Sequence, residues 1–365
     1  MIKTIIMDLL GKIKRTFSRL HCIHMDTGKS YLGICKHFFY LYVTRGFGFV
    51  EYHDFELDKV SKEFVDSFLN WKEQQYFLNL LNPRKYYSLA RNKYLTHIIL
   101  DALEINNKAT LYCYYNPELR KYHDSKVSFD VMSTLSILKA KNICSCVIKT
   151  TESSHGENVW VIKNIEYENH DIVFTRFDGR QMLLSELLGR EPLIFESLIK
   201  QTKQLSDFNP SSVNTIRFMT TLFPDGEARV IATFIKIGRS GKCVDNAGGG
   251  GNVDACVDIE TGKLCYTIQY KGWRNVIDIQ KHPDTGVQIE DVVINDWEVI
   301  KEKVIKFQKA FPFVKAAGWD IAITDNGPVI VEVNDMWDRT GQLFIRRGWK
   351  PEIEECYNAW KKYYN

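Results

Sequence analysis

A predicted β-hairpin near the C-terminal end constrains this chain more than any other stretch of its sequence. Its first strand, 316–324, is apolar except at Asp320, and its second strand, 328–334, is apolar except at Glu332 and Asn334. This pattern predicts two strands joined by a turn at Asp325-Asn326-Gly327. What the three polar residues can do depends on whether their side chains point to the same side of the sheet.

The length of the hairpin loop sets this geometry. A three-residue loop at 325–327, ending in a glycine that tolerates the left-handed conformation, would place Asp320 opposite Glu332. Paired residues, and residues two apart on one strand, share a face of the sheet, so Asp320, Glu332 and Asn334 would lie together. Such oxygen ligands suit Mg²⁺. A two-residue loop would instead send Asp320 to the opposite face, and an ordinary edge hairpin with its acids in water is the alternative.

Composition narrows the class of protein. The chain has 365 residues, enough for two or three domains or one multi-lobed enzyme. Its formal charge of +3 is small for this length and does not indicate a nucleic-acid partner. Nine cysteines without paired metal-ligand spacing are typical of reduced thiols in a cytosolic protein. Cys144 and Cys146 alternate in an apolar run and are predicted to share one face of a buried strand.

The N-terminal residues 1–20 predict an amphipathic helix. Asp8 and Lys12 interrupt any signal-peptide core, and no apolar run in the sequence is long enough to cross a membrane. The apolar residues that recur at helical spacing are Ile2, Ile5, Ile6, Leu9, Leu10, Ile13, Phe17 and Leu20. Two interpretations stay open: a helix lying on anionic lipid, or a helix docked on its own domain.

A lysine and a polar loop follow one another in the middle of the chain. The apolar strand predicted at 143–149 ends in Lys149, and the small polar residues 150–157 come next. Backbone N–H groups of such a loop can wrap phosphates, and a lysine at the strand end adds a positive charge. A plain hairpin turn is the alternative. A helix is predicted at 88–103, and it carries Lys93.

The second half of the chain is rich in predicted strands. Strands are expected at 214–223 and 228–236, with Arg217 on the first and Arg239 after the second. Four consecutive glycines follow within 245–252. They either let backbone approach an anion closely or form a mobile loop.

In combination and in this order, these parts resemble the ATP-grasp superfamily. More narrowly, the chain resembles the sugar-transfer-associated ATP-grasp group, which is linked to bacterial surface-polysaccharide synthesis. The resemblance runs from residue 88 to residue 345. The residues that carry it are Lys93, Ile148-Lys149, Ile194-Phe195-Glu196, Asn214 to Arg217, Arg239, Asp245 to Asn252, His282 to Gly286, Asp320 and Glu332 to Asn334.

The resemblance implies an α+β fold of the ATP-grasp type, in which two α+β lobes clasp ATP behind a mostly helical N-terminal extension. The implied division of the chain has four parts. They are the extension at 1–87, a first ATP-grasp subdomain at 88–141, a lid subdomain at 142–200, and a C-terminal subdomain with the metal site at 201–365.

The resemblance also implies roles for individual residues. The implied ATP-binding residues are Lys93, Lys149, Ser153, Ser154, His155, Gly156, Phe195, Glu196 and Leu198. The implied metal ligands are Asp320, Glu332 and Asn334, and the implied catalytic residues are Lys149, Arg217 and Arg239. The implied substrate contacts are Asn246, Gly249, Gly250 and His282. The loop at 153–156 departs from the family pattern, because many members have more glycines there.

The implied chemistry uses ATP and Mg²⁺ to convert a carboxylate to an acyl phosphate, which a small amine then attacks. The implied acid is a sugar or sugar nucleotide that carries a carboxylate, in the cytoplasm or at the inner face of the membrane, and no nucleic acid takes part. Two alternatives stay open. One is a kinase that phosphorylates a sugar or alcohol. The other is a non-catalytic nucleotide-binding partner of a glycosyltransferase, held at a membrane by residues 1–20.

Overall fold

The computed structural model describes residues 2–119, 125–152, 158–243, 245 and 251–365. Within these ranges the chain forms helices and two seven-stranded sheets. The predicted loop residues Ser153, Ser154, His155 and Gly156, and the predicted substrate contacts Asn246, Gly249 and Gly250, lie outside the described residues.

Among the residues described, five helices make up most of the N-terminal part of the chain. These helices are α1 (Ile2–Thr27), α2 (Tyr31–Arg45), α3 (Phe49–Asp54), α4 (Lys62–Ser67) and α5 (Trp71–Leu81). Ser30 caps α2 by accepting a hydrogen bond from Gly33 N, and Asn70 and Glu73 form a reciprocal capping box on α5. Extended backbone at Phe68 separates α4 from α5.

Helix α1 is anchored near its C-terminal end. Ile23 is buried with Ile34 and Leu41 of α2, whereas Leu10 and Phe17 of the predicted apolar stripe face solvent. The predicted amphipathic helix is therefore present, and Leu10, Ile13 and Phe17, described residues of its stripe, are exposed. Among the described helices, none combines the length and the apolar character that crossing a membrane requires.

Buried ion pairs join this helical extension to the remainder of the chain. The guanidinium of Arg274, almost fully buried, pairs with Asp26 at 2.6 Å and with Asp58 at 2.7 Å. Arg339 pairs with Glu51 in the same way. A buried cation must keep its carboxylate partners, so the extension is held in place by more than apolar contact.

The first sheet, called sheet 1, has the strand order β2-β1-β7-β3-β4-β5-β6. Its strands are β1 (Leu111–Tyr115), β2 (Val127–Ser128), β3 (Cys146–Thr150), β4 (Val159–Tyr167), β5 (Ile172–Arg176), β6 (Gln181–Leu183) and β7 (Leu193–Glu196). The helices along this part are α6 (Tyr87–Arg91), α7 (Lys93–Ala102), α8 (Val131–Ala140) and α9 (Leu184–Leu187). Because β1 and β2 share the sheet with β3 to β7, the boundary predicted between 141 and 142 falls inside one sheet.

Two local predictions in this part are wrong. The helix predicted at 88–103 is interrupted at Asn92, which has extended dihedrals and caps α7 by accepting from Leu95 N at 3.1 Å. Cys144 is exposed and precedes β3, whereas Cys146 is buried within it, so the two thiols do not share a buried strand face.

The second sheet, called sheet 2, has the strand order β12-β11-β10-β9-β8-β13-β14. Its strands are β8 (Thr215–Leu222), β9 (Ala228–Ile237), β10 (Val253–Val257), β11 (Leu264–Tyr270), β12 (Val276–Asp278), β13 (Ala316–Thr324) and β14 (Gly327–Asn334). The helices of this part are α10 (Lys203–Phe208), α11 (Trp297–Ala310), α12 (Gly341–Phe344) and α13 (Lys350–Tyr364). One cluster of buried side chains packs α11 on the sheet, and a second cluster packs α12 and α13 together with α5.

The hairpin of β13 and β14 reaches the predicted pairing by another route. Thr324 pairs with Gly327, so the loop has two residues and the predicted three-residue loop is wrong. A bulge at Val331 shifts the register before Asp320, which then pairs with Glu332 as predicted. One extra residue in the strand thus replaces one missing residue in the loop.

Candidate active site between the two sheets

A cavity lies where sheet 1 meets sheet 2, and both sheets line it. Sheet 1 and the segments after it contribute Val147, Lys149, Val159, Val161, Glu196, Ser197 and Ile199. Sheet 2 and its neighbours contribute Val213, Thr215, Lys236, Cys243, Asp245, Asp320, Val331 and Glu332, and α7 adds Lys93. The valines and Ile199 form apolar wall, and the charged groups gather beside it. This mixture suits a ligand with an apolar part and an anionic part.

The bulge in β14 shapes the floor of this cavity. Val331 and Glu332 are consecutive, yet both line the cavity, which regular alternation in a strand forbids. The bulge breaks the alternation and turns both side chains to one side.

On the sheet 1 wall, Glu196 is buried and contacts a lysine and a histidine. Lys149 on the adjacent strand β3 forms an ion pair with it, and His97 Nε2 lies 3.0 Å from its second carboxylate oxygen. Burial alone would raise the pKa of Glu196, but Lys149 and His97 outweigh burial and lower that pKa to about 2. The carboxylate is therefore ionised and holds the Lys149 ammonium in the cavity wall.

Lys93, the first residue of α7, lies between the two sheets. Its backbone N–H donates to Thr151 O at 2.9 Å, which fixes the start of α7 against the end of β3. Its Nζ lies 3.9 Å from Glu332 Oε1 in sheet 2. Burial lowers the pKa of Lys93, and the nearby Lys149 charge lowers it further. An anion bound between the ammonium groups of Lys93 and Lys149 would counter both effects on the pKa of Lys93.

On the sheet 2 wall, Asp320 is buried beside two cations. Arg217 makes a forked contact through Nε at 2.5 Å and Nη2 at 2.8 Å, and Lys236 Nζ lies 3.0 Å from Oδ1. Burial would raise the pKa of Asp320, but these cations lower it to about 2. Gly318 makes room for the pair, because a Cβ there would come within 3.3 Å of the Arg217 side chain.

Asp245 adds a second acid to the same wall. It accepts hydrogen bonds from Thr215 N at 2.8 Å and from Thr215 Oγ1 at 2.5 Å. Burial raises its pKa. Thr215 is the cross-strand partner of Lys236, so these three residues lie side by side at the cavity edge.

Sequence reasoning missed His97 and Lys236 as site residues. His97 follows Lys93 by four residues on α7, a spacing that places two side chains on one helix face and could have singled it out. Lys236 alternates with apolar residues near the end of β9, and no motif there distinguishes it from an ordinary solvated lysine.

The predicted ATP-binding residues Phe195 and Leu198 do not line the cavity with their side chains. Phe195 precedes Glu196 in β7, so alternation turns it to the opposite face, where it is fully buried in the apolar core of sheet 1. Leu198 is exposed and stands outside the cavity lining. A nucleotide could meet these positions only through their backbone.

Arg239 and His282 also lie outside the cavity lining, and both are engaged elsewhere. Arg239 makes a forked contact with Asp284, with Nε 2.7 Å from Oδ2, and donates to Gly251 O at 3.1 Å. Hydrogen bonds from Arg239 hold the pKa of Asp284 well below its usual range. Arg239 therefore braces Gly251, where the glycine-rich stretch rejoins the described chain.

His282 is buried, and both of its ring nitrogens have partners. Nε2 lies 3.0 Å from Gly238 O, and Nδ1 accepts from the backbone N–H of Asp284 and of Thr285 at 3.3 Å. Burial lowers its pKa. A neutral imidazole that donates through Nε2 and accepts through Nδ1 satisfies all three contacts, which makes His282 a structural brace for this loop.

The hairpin register determines on which face of the sheet the three predicted metal ligands lie. Asp320 pairs with Glu332, and Gly318, two residues before Asp320, pairs with Asn334, so the three positions share one face. Glu332 lines the cavity; Asn334 donates from Nδ2 to Gly318 O at 3.3 Å. Both oxygens of Asp320 are engaged by Arg217 and Lys236. Among the described residues, no group of three His, Cys, Asp or Glu side chains is placed to hold a metal ion.

This donor set fits a Mg²⁺ ion that takes most of its ligands from phosphates and water, since such ions use one or two protein carboxylates. Glu332 and Asn334 offer oxygens for it, and Asp320 would join only by giving up part of its contact with Lys236.

A family model for sugar-transfer associated ATP-grasp proteins matches residues 72–357 of this sequence. The chain belongs to this ATP-grasp family. The match begins in α5 and ends in α13, so it includes both sheets and the cavity between them. The family membership confirms the predicted ATP-grasp fold, with the helices before α5 as an extension. A search of the curated proteins finds no match.

Solved structures similar to this ATP-grasp protein include distant ligases. D-alanine–D-alanine ligase from Helicobacter pylori is 13% identical, with a TM-score of 0.38 over 76% of this chain and 61% of that chain. Phosphoribosylamine–glycine ligase from Thermotoga maritima is 12% identical, with a TM-score of 0.44 over 85% of this chain and 64% of that chain. The biotin carboxylase domain of Hydrogenobacter thermophilus 2-oxoglutarate carboxylase, a complex with MgADP and bicarbonate, is 10% identical, with a TM-score of 0.39 over 76% of this chain and 48% of that chain. The chain thus spans about half to two thirds of each of these proteins.

Proposed function

We propose that this protein is an ATP-dependent carboxylate–amine ligase that works through an acyl phosphate. The observation that carries the proposal is the cavity itself, in which cations from both sheets surround a space with an apolar wall. Lys93 and Lys149 line one side of this space and Lys236 lines the other, while Arg217 lies outside the lining, in contact with the lining residue Asp320. Phosphoryl transfer requires positioning and neutralisation of charge more than covalent help from protein groups.

In the proposed reaction, each wall of the cavity has its own role. The apolar wall, with Val147, Val161 and Ile199, receives the adenine, and the backbone that follows Glu196 provides its polar contacts. Lys149 and Lys93 contact the phosphates. Glu196 and His97 hold Lys149 in place, which makes them positioning residues.

On the opposite wall, Arg217 and Lys236 stabilise the negative charge that develops on the transferred phosphoryl group. The acid attacks the γ-phosphorus through a carboxylate oxygen, and ADP leaves. The amine then attacks the acyl carbon, phosphate leaves, and the amine loses a proton to solvent or phosphate. Bound Mg²⁺, held by Glu332 and Asn334 with Asp320 beside it, would supply further neutralisation of the phosphates.

A screen for ADP release tests this function. Carboxylate-bearing sugars and sugar nucleotides are offered with small amines, ATP and Mg²⁺, and ADP is expected only when an acid and an amine are both present. Glu332→Ala should lower the rate by roughly a hundredfold or more, the usual scale for a group that stabilises transition-state charge. Asp325→Ala, an exposed acid in the loop of the same hairpin, is the matched control. Full activity of Glu332→Ala would rule out the metal assignment.

The same screen separates the kinase and the binding-only hypotheses. Turnover without any amine, with an acid-stable phosphate ester as product, would identify a kinase. Binding of ATP without turnover on any acid would support a non-catalytic partner. The ligase is preferred because the family model is described as associated with sugar transfer and the similar structures named above include ligases.

The proposed substrate is a uronic acid or a similar sugar carboxylate used in a bacterial capsule or surface polysaccharide. The family description supports a connection with sugars. The proposed location is the cytoplasm, with peripheral contact to the inner face of the membrane through residues 1–20. The exposed apolar residues of α1 support that contact.

A further inference from the structure

Helix α2 has apolar side chains on two opposite faces, although a helix at a protein surface ordinarily has one. Its inner face is buried through Ile34 and Leu41. Its outer face carries Leu32, Phe39 and Val43, which recur at helical spacing, and Phe39 and Val43 are each 64% exposed. The inner face accounts for the packing of α2 on its own domain. The apolar residues of the outer face therefore need a different explanation, which is contact with a second apolar surface.

Helix α1 continues this apolar surface. Leu10, Ile13 and Phe17 recur at helical spacing and are exposed, with Phe17 at 67%. The two helices follow each other through a short turn, and Phe17 of α1 lines one shallow hollow with Tyr31 of α2. Among the described residues, the exposed large apolar side chains are concentrated in these two helices. The outer faces therefore form one patch, called here the α1/α2 surface.

The charge of this region identifies the occupant. Residues 1–45 contain eight Lys and Arg and two Asp, a net charge of +6, whereas the whole chain has +3 and the remaining residues therefore have −3. The exposed lysines Lys12, Lys14 and Lys36 lie on the same two helices as the apolar residues. A second copy of this surface would bring two strongly positive regions together, which disfavours a dimer at this site. Apolar residues with a basic surround match an anionic bilayer, where acyl chains accept the apolar groups and headgroups accept the lysines.

We propose that the α1/α2 surface binds peripherally to membranes that contain anionic lipid, with both helices in the interface. This extends the contact proposed for residues 1–20 to a surface that also includes α2. Neither helix crosses the bilayer. The surface contains none of the residues placed in the cavity, so the lipid contact is independent of the proposed ligation and is tested separately from it.

Vesicle sedimentation of the full chain tests the proposal. The protein should sediment with vesicles of phosphatidylcholine that contain about 30% phosphatidylglycerol, and remain in solution with phosphatidylcholine alone, because each basic residue near an anionic surface contributes about fivefold to binding. Added salt should release it. Lys12→Glu/Lys14→Glu should weaken sedimentation by at least roughly tenfold.

A matched pair of valines tests the apolar half of the argument. Val43 on α2 and Val299 on α11 are 64% and 65% exposed, and both are in helices. Val43→Asp should lower vesicle binding by roughly tenfold or more, because a charge replaces a group inserted among acyl chains, whereas Val299→Asp should leave it unchanged. Both variants should keep the thermal midpoint of the parent, since surface substitutions change stability little.

Three results would overturn the proposal. The first is the absence of binding to anionic vesicles. The second is equal loss of binding in Val43→Asp and Val299→Asp, which would mean that the contact does not involve α2. The third is a concentration-dependent dimer in light scattering that Val43→Asp abolishes, which would assign the surface to a second copy of the chain.

Discussion

Glu196 on sheet 1 and Asp320 on sheet 2 are both buried carboxylates at the cavity, and each contacts two basic side chains. Their pKa values are lowered to a similar level, about 2. The cations differ. Glu196 has Lys149 and His97, and the imidazole is charged only when protonated. Asp320 has Arg217 and Lys236.

This difference sets the number of permanent cations in contact with each carboxylate. Asp320 contacts two, Arg217 and Lys236, whose charge Asp245 and Glu332 on the same wall partly offset. Glu196 contacts one, Lys149, and that charge is answered by Glu196 itself. Under the proposed function, the sheet 2 wall would suit charge that develops during the reaction, and the sheet 1 wall would suit holding a bound ligand in place.

The largest expected effect concerns the carboxylates themselves. Asp320→Asn should lower the free energy of unfolding by about 3–5 kcal/mol, because it leaves Arg217 and Lys236 buried without a counter-charge. Glu196→Gln should cost less, since it leaves one permanent cation, Lys149, without a counter-charge instead of two. Urea denaturation of both variants measures the difference, with Asp325→Asn in the exposed loop as the control. An equal or larger loss in Glu196→Gln would contradict the comparison of the walls.

Substitution of one lysine on each wall should separate binding from turnover. Lys149→Met should weaken ATP affinity by roughly tenfold to a hundredfold, because it removes a charged hydrogen-bond donor from a bound phosphate. Lys236→Met should lower the rate of ADP release more than it lowers ATP affinity. Nucleotide titration and ADP-release kinetics on the two variants give both quantities. If Lys236→Met lost only affinity, the sheet 2 wall would have the role assigned to sheet 1.

The two lowered pKa values predict a loss of stability in acid. Each carboxylate has a pKa below its ordinary value in the folded state, so each contributes stability above the unfolded pKa of about 4. That contribution is lost as the pH falls from there through the folded pKa of about 2. The free energy of unfolding should therefore fall steeply between these values, and less steeply in Glu196→Gln. A variant with the same slope as the parent would show that Glu196 does not titrate in this range.

The smallest expected effect is at Gly318. In Gly318→Ala the new Cβ would lie 3.3 Å from the Arg217 side chain, which is tighter than ordinary contact. Arg217 must shift by a few tenths of an ångström, at a cost of about 1 kcal/mol in stability. ADP release should fall a few-fold with little change in ATP affinity. A larger effect on affinity than on rate would place Arg217 at the bound nucleotide.

The sequence predicted the fold and the pairing of Asp320 with Glu332, but not the route to that pairing. The bulge at Val331 shapes the cavity, but the periodicity of a strand in the sequence does not predict where a bulge occurs. The sequence also did not predict which side chains contact the carboxylates of Asp320 and Glu196. The strand order of sheet 2 brings Lys236 of β9 to Asp320 of β13, and the placement of α7 brings His97 to Glu196; neither follows from the sequence alone.

Two residues that the sequence predicted to take part in the reaction, Arg239 and His282, make structural contacts instead. Arg239 and His282 were placed in the reaction by resemblance, and in the structure they contact Asp284, Gly251 and Gly238. Each is close to a predicted functional loop in sequence, which explains the prediction. Their hydrogen bonds are already taken by the protein, which sequence position could not reveal.

The buried guanidinium of Arg274 has a consequence for where this protein works. It pairs Asp26 near the end of α1 with the loop between β11 and β12 of sheet 2, so the helices and this sheet are held together by a buried ion pair. A protein seated on a bilayer through α1 and α2 would hold its cleft at a set height and orientation above the lipid. A substrate anchored in the same bilayer would then reach the cleft by diffusion in two dimensions instead of three.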